Sequence, residues 1–239
     1  MNTILIKRIS IIAVAGALVA AIAWAPSSVA ATSSRYITVS ADGTVKIAPD
    51  AVRINATVSV VGASSKEALA ATSTSAAAVR AAFLTNGVAA KDIASQNVSV
   101  YPEYSYTTDK GQVLIGYRGS QTFNVVVRNA NNAGAVVDAI VTAGGNNLQL
   151  SGVTPFILDS NKAAVGARTV AVKNAKMKAS SYASLLGIKL GKVNYLVENS
   201  APSFFPPIMA TAKDSAGATQ IDLGQQEVTV SITIQWALS

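Results

Sequence analysis

The sequence predicts an α+β fold in which largely antiparallel sheets carry three helices. Apolar and polar residues alternate along several segments, which is typical of strands with one buried face. Three other segments repeat apolar or small residues at every third or fourth position, as helices do. Neighbouring strand segments are joined by short polar turns, which favours antiparallel pairing over a doubly wound parallel sheet. The predicted order is ββαββαβαββ.

Residues 1–30 predict a secretory signal peptide, which leaves one α+β domain over residues 31–239. Lys7 and Arg8 precede a charge-free apolar stretch, and small residues follow a proline at its end. We expect cleavage after Ala30, with Ala31 as the second choice, and a periplasmic or secreted product. The alternative is a retained membrane anchor, but the apolar stretch is shorter than the roughly 20 residues that span a bilayer.

The first two strands are predicted over residues 35–48 and 51–62, where the alternation is regular. Asp42-Gly43 predicts a hairpin turn inside the first segment. Ala48-Pro49-Asp50 separates the two segments. The apolar face of the second strand contains Val52, Ile54, Ala56, Val58 and Val60.

A helix and a long hairpin are predicted next. Ser64 and Glu67 have the spacing of a capping box, and Asn86-Gly87 ends the helix. Its buried stripe is predicted to be Leu69, Thr72, Ala76, Val79 and Phe83. Strands near 92–107 and 112–128 follow, and they are joined through Asp109-Lys110-Gly111.

The second half begins with a short helix, which Asn131 or Asn132 caps and Gly144-Gly145 ends. Four further segments are then predicted: a strand at 147–158, a long helix at about 160–186, a strand at 190–198 and a last strand at 225–238. The long helix has a small-residue stripe of Ala164, Ala167, Ala171, Ala175, Ala179 and Ala183. One face of the last strand holds Val228, Val230, Ile232, Ile234 and Trp236.

Composition excludes several kinds of chemistry. The 239 residues include no Cys and no His, so a thiolate nucleophile, a disulfide and a Ser-His-Asp triad are all impossible. The twelve carboxylates are scattered, and none lies within four residues of another. We therefore expect no enzyme activity, no metal and no cofactor. A carboxylate-dependent hydrolase, whose acids would have to converge in the fold, is the least favoured alternative.

The long helix is cationic and gives the first candidate interaction surface. Its basic residues are Lys162, Arg168, Lys173, Lys176 and Lys178. Lys173 and Lys176 lie in its middle and are candidates for contact with anionic lipid or another envelope component. A simple solvated helix face is the favoured reading, because charge runs usually have that role. The net charge of +7 falls to +5 without Lys7 and Arg8, and no basic run indicates nucleic-acid binding.

An irregular segment is predicted over residues 200–224, and it gives the second candidate surface. Such long loops are uncommon in compact domains and are often functional. Phe204, Phe205 and Ile208 lie in it and are predicted either to dock a neighbouring subunit or to cover the core of their own domain. The sequence does not choose between these two roles.

Several short motifs together resemble the SIMPL-domain family of exported bacterial proteins, over nearly the whole mature chain. They are Val39-x-x-x-Gly43, Pro49-Asp50, Gly116-Tyr117-Arg118-Gly119-Ser120-Gln121, Gly145-Asn146-Asn147, Ala175-Lys176-x-Lys178-Ala179 and Leu186-Gly187-x-x-Leu190-Gly191-Lys192-Val193. No single motif is specific, but their order and spacing are. Ala41 departs from the pattern, because the family usually has a further glycine there.

The resemblance implies an exported α+β protein that is often oligomeric and is sometimes linked to the cell envelope or to oxidative stress. It supplies no catalytic residues. We therefore expect a non-catalytic, self-assembling homo-oligomer, with a periplasmic ligand- or peptide-binding module as the alternative. Any stress role is expected to be indirect, because the mature chain has no Cys and only Met177 and Met209 to oxidise.

Overall fold

The computed structural model describes residues 35–109, 111–199, 203–205 and 219–239. The predicted signal peptide and Ile208 lie outside the described residues. The fold class is α+β, as the sequence predicts, with helices α1 (Ser65–Thr85), α2 (Ala133–Gly144) and α3 (Ser160–Leu185). In this part of the chain, none of the helices has the length and apolar character that crossing a membrane requires.

The strands form two antiparallel four-stranded sheets. The terminal sheet, so called because it holds the first and last strands, has the order β1 (Tyr36–Ile47), β8 (Gln226–Leu238), β6 (Leu190–Glu198). A short strand, β7 (Ser203–Phe205), also pairs with β8. The central sheet has the order β3 (Ile93–Thr107), β4 (Gly111–Val127), β2 (Ala51–Gly62), β5 (Leu148–Phe156).

The predicted hairpin turn at Asp42-Gly43 is wrong. Strand β1 instead pairs with β8 over twelve residues without a register shift. Gly43 has a different purpose, because α3 lies directly against it: a Cβ there would lie 2.1 Å from the Ala167 carbonyl oxygen. The short β1–β2 connection also does not join paired strands. It carries the chain from the terminal sheet to the central sheet.

Among the described elements, α3 covers the terminal sheet, and the predicted alanine stripe forms the contact. All six predicted alanines are buried, together with Ala163. All of these except Ala183 belong to one core with the predicted apolar face of β8, from Val228 to Trp236, which is also buried. Small side chains allow the helix backbone to approach the sheet closely, and Gly43 lies where that approach is tightest.

The central sheet is covered by α1 and α2. Thr72, Ala76, Val79 and Phe83 are buried as predicted, but Leu69 is 41% exposed and Ala68 is buried in its place. The reason is the close approach of two strands below the first turns of α1. A Cβ at Gly62 or Gly119 would lie within 3 Å of Ala68 backbone atoms, which leaves room there for a small residue only.

The structure describes residues 203–205 and 219–224 of the predicted irregular segment 200–224. Strand β7 lies within it, and residues 219–225 run across to the central sheet. There Ile221 and Leu223 pack against the core of the central sheet. Asp138 of α2 accepts hydrogen bonds from the Thr219 amide and hydroxyl, which fixes the start of this crossing. Gln226 then donates to the Pro155 carbonyl oxygen at 3.1 Å and joins β8 to β5.

Candidate functional site

In the described part of the chain, the longer strands at the sheet edges are β1, β3, β5 and β6, and the last three of these are irregular. Strand β3 has two register shifts, Pro102, and a positive φ of 36° at Asn97. Strand β5 has one register shift and Pro155, and β6 has two shifts. Bulges and prolines of this kind are typical devices against edge-to-edge strand pairing. A peptide or second subunit would therefore add poorly to these three edges as a strand.

The fourth edge, β1, is regular but is capped by α3. Asn174 Nδ2 donates to the Asp42 carbonyl oxygen at 2.8 Å, and Lys178 Nζ donates to the Ser40 carbonyl oxygen at 3.2 Å. Both acceptors are backbone carbonyl groups of β1, the strand at this edge of the sheet. An added strand would have to displace both side chains, so strand addition is costly here as well.

The faces of the two sheets that the helices leave open carry paired polar groups, beside the exposed apolar side chains Val61, Tyr101, Tyr195 and Val197. Hydroxyl groups pair across neighbouring strands, as Ser40 does with Thr233 at 2.8 Å and Thr57 with Thr122 at 3.0 Å. Asn124 donates to Asn55 on the same face of the central sheet. Because these polar groups hydrogen-bond to one another, they do not need hydrogen-bond partners from another molecule.

One group of exposed large apolar side chains lies at the end of the β3–β4 hairpin. Strand β2 ends at Gly62, which pairs with Tyr117 of β4, and beyond that pair the described part of the central sheet has two strands, β3 and β4. We call residues 104–107 and 111–115 the arm. Its exposed large apolar side chains are Tyr104, Tyr106, Val113, Leu114 and Ile115.

A bidentate ion pair fixes the base of the arm. Arg118 donates to both oxygens of Glu103, at 2.7 and 2.8 Å, and also reaches the Ser59 hydroxyl. The hydrogen bonds from Arg118 lower the pKa of the Glu103 carboxyl. The pair joins β3 to β4 at the last point where β2 still supports them, so the arm projects from a rigid base.

A second apolar surface lies beside α3, where the helix does not cover the terminal sheet. Helix α3 lies over β1 and β8 and hardly reaches β6. We call the exposed side chains Val165, Val172, Val193 and Leu196 the α3–β6 face. Val193 and Leu196 of β6 pair with Trp236 and Ile234 of β8, whose side chains are buried under α3. Paired residues share one face of a sheet, so Val193 and Leu196 also lie on the helix side.

Arg168 marks the flank of α3 that borders β6. It donates to both carboxylate oxygens of Glu198, at 2.8 and 3.1 Å, and these hydrogen bonds lower the pKa of Glu198. Val172 and Lys176 follow one and two turns later on the same flank. Of the candidate residues from the sequence, Lys176 therefore borders this surface, and Lys173 is exposed on the outer side of the helix.

The other candidate residues are only partly placed. Phe204 and Phe205 belong to β7, where they pair with Val228 and Glu227 of β8. The structure thus anchors their backbone on the terminal sheet, close to the end of β6. Further along the same segment, Ile221 and Leu223 pack against the core of the central sheet.

The described residues contain no group of three or more acidic side chains that could hold a metal ion. Asp92, Glu103 and Glu198 each form an ion pair with an arginine instead. Hydrogen bonds from these arginines lower the pKa of all three carboxyl groups. A carboxylate with a lowered pKa is a poor proton donor at neutral pH, so these groups serve structure better than acid–base chemistry.

Sequence reasoning missed both apolar surfaces, although one signal for the arm was present. Strands β3 and β4 have 15 and 17 residues, whereas their neighbour β2 has only 12, so the hairpin must extend beyond the sheet. The α3–β6 face had no comparable signal. It depends on where α3 crosses the terminal sheet, which is a long-range property of the fold.

Comparison with known proteins places most of the chain in one family. Residues 37–236 match the family model described as SIMPL, protein of unknown function (DUF541). The 26 kDa periplasmic immunogenic protein of Brucella melitensis is 28% identical over 225 residues, which cover 89% of this chain and 88% of that protein. The uncharacterized protein YggE of Escherichia coli K12 is 32% identical over 134 residues, 55% of this chain and 52% of that protein. YggE of Edwardsiella ictaluri is 31% identical over 123 residues, 49% of each chain.

Proposed function

The chain belongs to the SIMPL family, and from that premise we propose that it is an exported, non-catalytic protein that acts in the cell envelope by assembling with copies of itself. The observation that carries the proposal is the pair of exposed apolar surfaces, the arm and the α3–β6 face. Contiguous apolar surface on a water-soluble domain is typical of a protein–protein contact.

The distribution of polar groups supports assembly through these side chains rather than through strand edges. The edge strands β1, β3, β5 and β6 are bulged or capped, and polar groups on the open sheet faces hydrogen-bond to one another. The peptide-binding alternative depends on strand addition to an open edge, so it has less support. It would be favoured by a rise in melting temperature on addition of envelope extract to the purified protein.

Assembly is tested by sedimentation velocity of the mature protein over a hundredfold range of concentration. We expect the weight-average sedimentation coefficient to rise with concentration, or to stay at an oligomer value throughout. A monomer at every concentration would overturn the self-assembly part of the proposal. The same measurement in high salt tests the apolar character of the contact, because salt screens charges but does not weaken apolar burial.

Export to the periplasm is proposed from the name of the Brucella relative and from the sequence of residues 1–30. The test is expression of the full chain in a Gram-negative host, followed by cell fractionation and N-terminal sequencing. We expect a periplasmic product that begins at Ala31. A product that stays in the membrane fraction and begins at Met1 would contradict cleavage and favour a retained anchor.

We propose that support of the envelope, including any protection under oxidative stress, follows from assembly. The chain contains no Cys, so it cannot scavenge oxidants through a thiol. The test is a strain that lacks the gene and is complemented with wild-type or assembly-defective protein. Equal resistance to detergent and peroxide with both proteins would show that assembly is not the basis of the role.

Contact with anionic lipid through Lys173 and Lys176 is a subordinate proposal. Both side chains are exposed, and among the described residues neither has a carboxylate within ion-pair distance. Co-sedimentation with vesicles that contain phosphatidylglycerol, at increasing salt, tests it. Binding that falls with salt and is lost in Lys173→Glu/Lys176→Glu supports the contact, whereas equal binding to neutral vesicles opposes it.

A further inference from the structure

We propose that copies of this chain join head to tail, with the arm of one copy docked on the α3–β6 face of the next. The inference rests on the self-assembly proposed above and goes beyond it by naming both contact surfaces. Such a contact is heterologous, because two different surfaces of the chain meet.

The arm has the properties of a docking element. A two-stranded ribbon is marginally stable alone in water and needs a packing partner. Tyr104 and Tyr106 are two residues apart and share one face of the ribbon, and Leu114 lies directly opposite Tyr104. Tyr106 is 77% exposed, so its ring has almost no contact with its own chain. This face therefore presents two rings and a leucine to a partner.

The α3–β6 face has the properties of the receiving surface. Val193 and Leu196 lie on the helix side of β6 but are each about half exposed, because α3 lies over β1 and β8 instead. Val165 and Val172 line the helix flank that borders them. The surface is thus an apolar step between a helix and an edge strand, and it is held in place by the Arg168–Glu198 ion pair.

Charge favours contact between the arm and the α3–β6 face over contact between two copies of the α3–β6 face. Lys176 borders the α3–β6 face and has no ion pair with another described residue, so two copies of this face would bring lysines together. The arm offers tyrosine rings, which attract a lysine ammonium group, and the exposed carboxylate Asp109 at its turn. Asp109 is followed by Lys110, so this dipeptide carries no net charge, and arm on face is favoured by the tyrosine rings and by the repulsion between two copies of the face.

The closing experiment uses two variants of the mature protein. The arm variant is Tyr104→Ser/Tyr106→Ser, and the face variant is Val172→Ser/Leu196→Thr. All four side chains are at least 42% exposed, so we expect both variants to fold, and their melting curves will show whether they do. The control is Leu69→Ser, which removes an equally exposed apolar side chain of α1, outside both surfaces.

We expect sedimentation velocity to show that each variant associates at least tenfold more weakly than the wild type, while the control associates normally. An equimolar mixture of the two variants should form a heterodimer, because one partner keeps the face and the other keeps the arm. A mixture that stays monomeric, or variants that assemble like the wild type, would overturn the head-to-tail contact. A wild type that is itself monomeric would instead overturn the proposed self-assembly.

Charge exchange gives a second test that needs no apolar substitution. Lys176→Glu should weaken association, and Asp109→Lys in the same chain should restore it in part. Restoration supports the placement of Asp109 near Lys176 of the neighbouring copy. If Asp109→Lys only adds to the loss caused by Lys176→Glu, the two residues do not meet and this placement of the arm is wrong.

Discussion

The two sheets of this protein are covered by helices in opposite ways. On the terminal sheet, seven buried alanines bring α3 almost onto the backbone of β1, with Gly43 at the tightest point. On the central sheet, α1 and α2 fill a thicker layer with large side chains, among them Phe83, Phe123 and Ile140, all fully buried. The terminal layer is close-packed because small side chains on α3 let the backbones approach. The central layer is close-packed because large side chains fill the space between helices and sheet.

The difference determines which changes each layer tolerates. A core that is packed with large side chains loses stability when volume is removed, because a cavity remains. A core in which backbones are in contact loses stability when volume is added, because neither backbone can move aside without moving its whole element. We expect truncation to be most damaging in the central layer and enlargement to be most damaging in the terminal layer.

The largest effect is expected for Phe83→Ala in the central layer. Phe83 is fully buried, and its ring meets that of Phe123 edge to face, with 6.2 Å between the ring centroids. Truncation should reduce the free energy of unfolding by about 3–5 kcal/mol, as for other buried phenylalanines. The measurement is urea unfolding followed by circular dichroism. The neighbouring Leu84→Ala, at a partly exposed position, is the control and should cost less than about 1 kcal/mol.

The corresponding change in the terminal layer is Gly43→Ala. The new methyl group would lie 2.1 Å from the Ala167 carbonyl oxygen and 2.2 Å from the Ala171 amide nitrogen, so α3 must shift. We expect a loss of about 2–3 kcal/mol in the same unfolding measurement. The matched control is Gly152→Ala in β5, where the nearest atom would be 3.9 Å away, and it should change stability little. Equal stability of the two variants would contradict the close approach of α3.

The same contrast explains which parts of the fold the sequence reveals. The alanine stripe of α3 and the apolar face of β8 are local periodicities, and both are confirmed. Asp42-Gly43 is misleading because a glycine that allows close approach and a glycine in a turn look identical in sequence. Leu69 fails for a related reason: Gly62 and Gly119 bring two strands against the backbone of α1 at Ala68, and the periodicity of α1 itself does not show that contact.

The candidate surfaces are harder to predict than the core. The lysines of α3 are visible in the sequence, but their relation to an exposed apolar step depends on the distance between α3 and β6. To predict the arm, one must know which strand of the central sheet ends first. Each surface is exposed because no described strand or helix covers it. The periodicity of a single segment cannot show which neighbours cover it.

At Thr72 the central layer resembles the terminal layer, because a helix lies close to a strand glycine, Gly119. Thr72 is buried, and its hydroxyl has no hydrogen-bond partner in the described part of the chain. Thr72→Ala and Thr72→Ser both remove the methyl group, but only serine keeps the unpaired hydroxyl. We expect the alanine variant to be more stable than the serine variant by about 1 kcal/mol in thermal unfolding. A serine variant of equal or greater stability would indicate that the hydroxyl has a partner.

The smallest effect is expected where α3 is joined to β6, the open side of the terminal layer. Hydrogen bonds from Arg168 lower the pKa of Glu198 below its usual 4.5, so the folded protein resists protonation there. The resulting stability is present at neutral pH and is lost as the pH falls from about 4.5 through the lowered pKa. Glu198→Gln should therefore melt slightly below the wild type at pH 7, and the difference should shrink towards pH 3.

The control for this comparison is Glu227→Gln, which removes a looser ion pair with Lys46 at 3.6 Å. It should not change the melting temperature measurably at either pH, because exposed single contacts contribute little. If Glu198→Gln also has no effect at pH 7, then Arg168 does not hold β6 to α3. The distance between them would then be set by the alanine stripe alone, and Val193 and Leu196 would stay exposed without help from the ion pair.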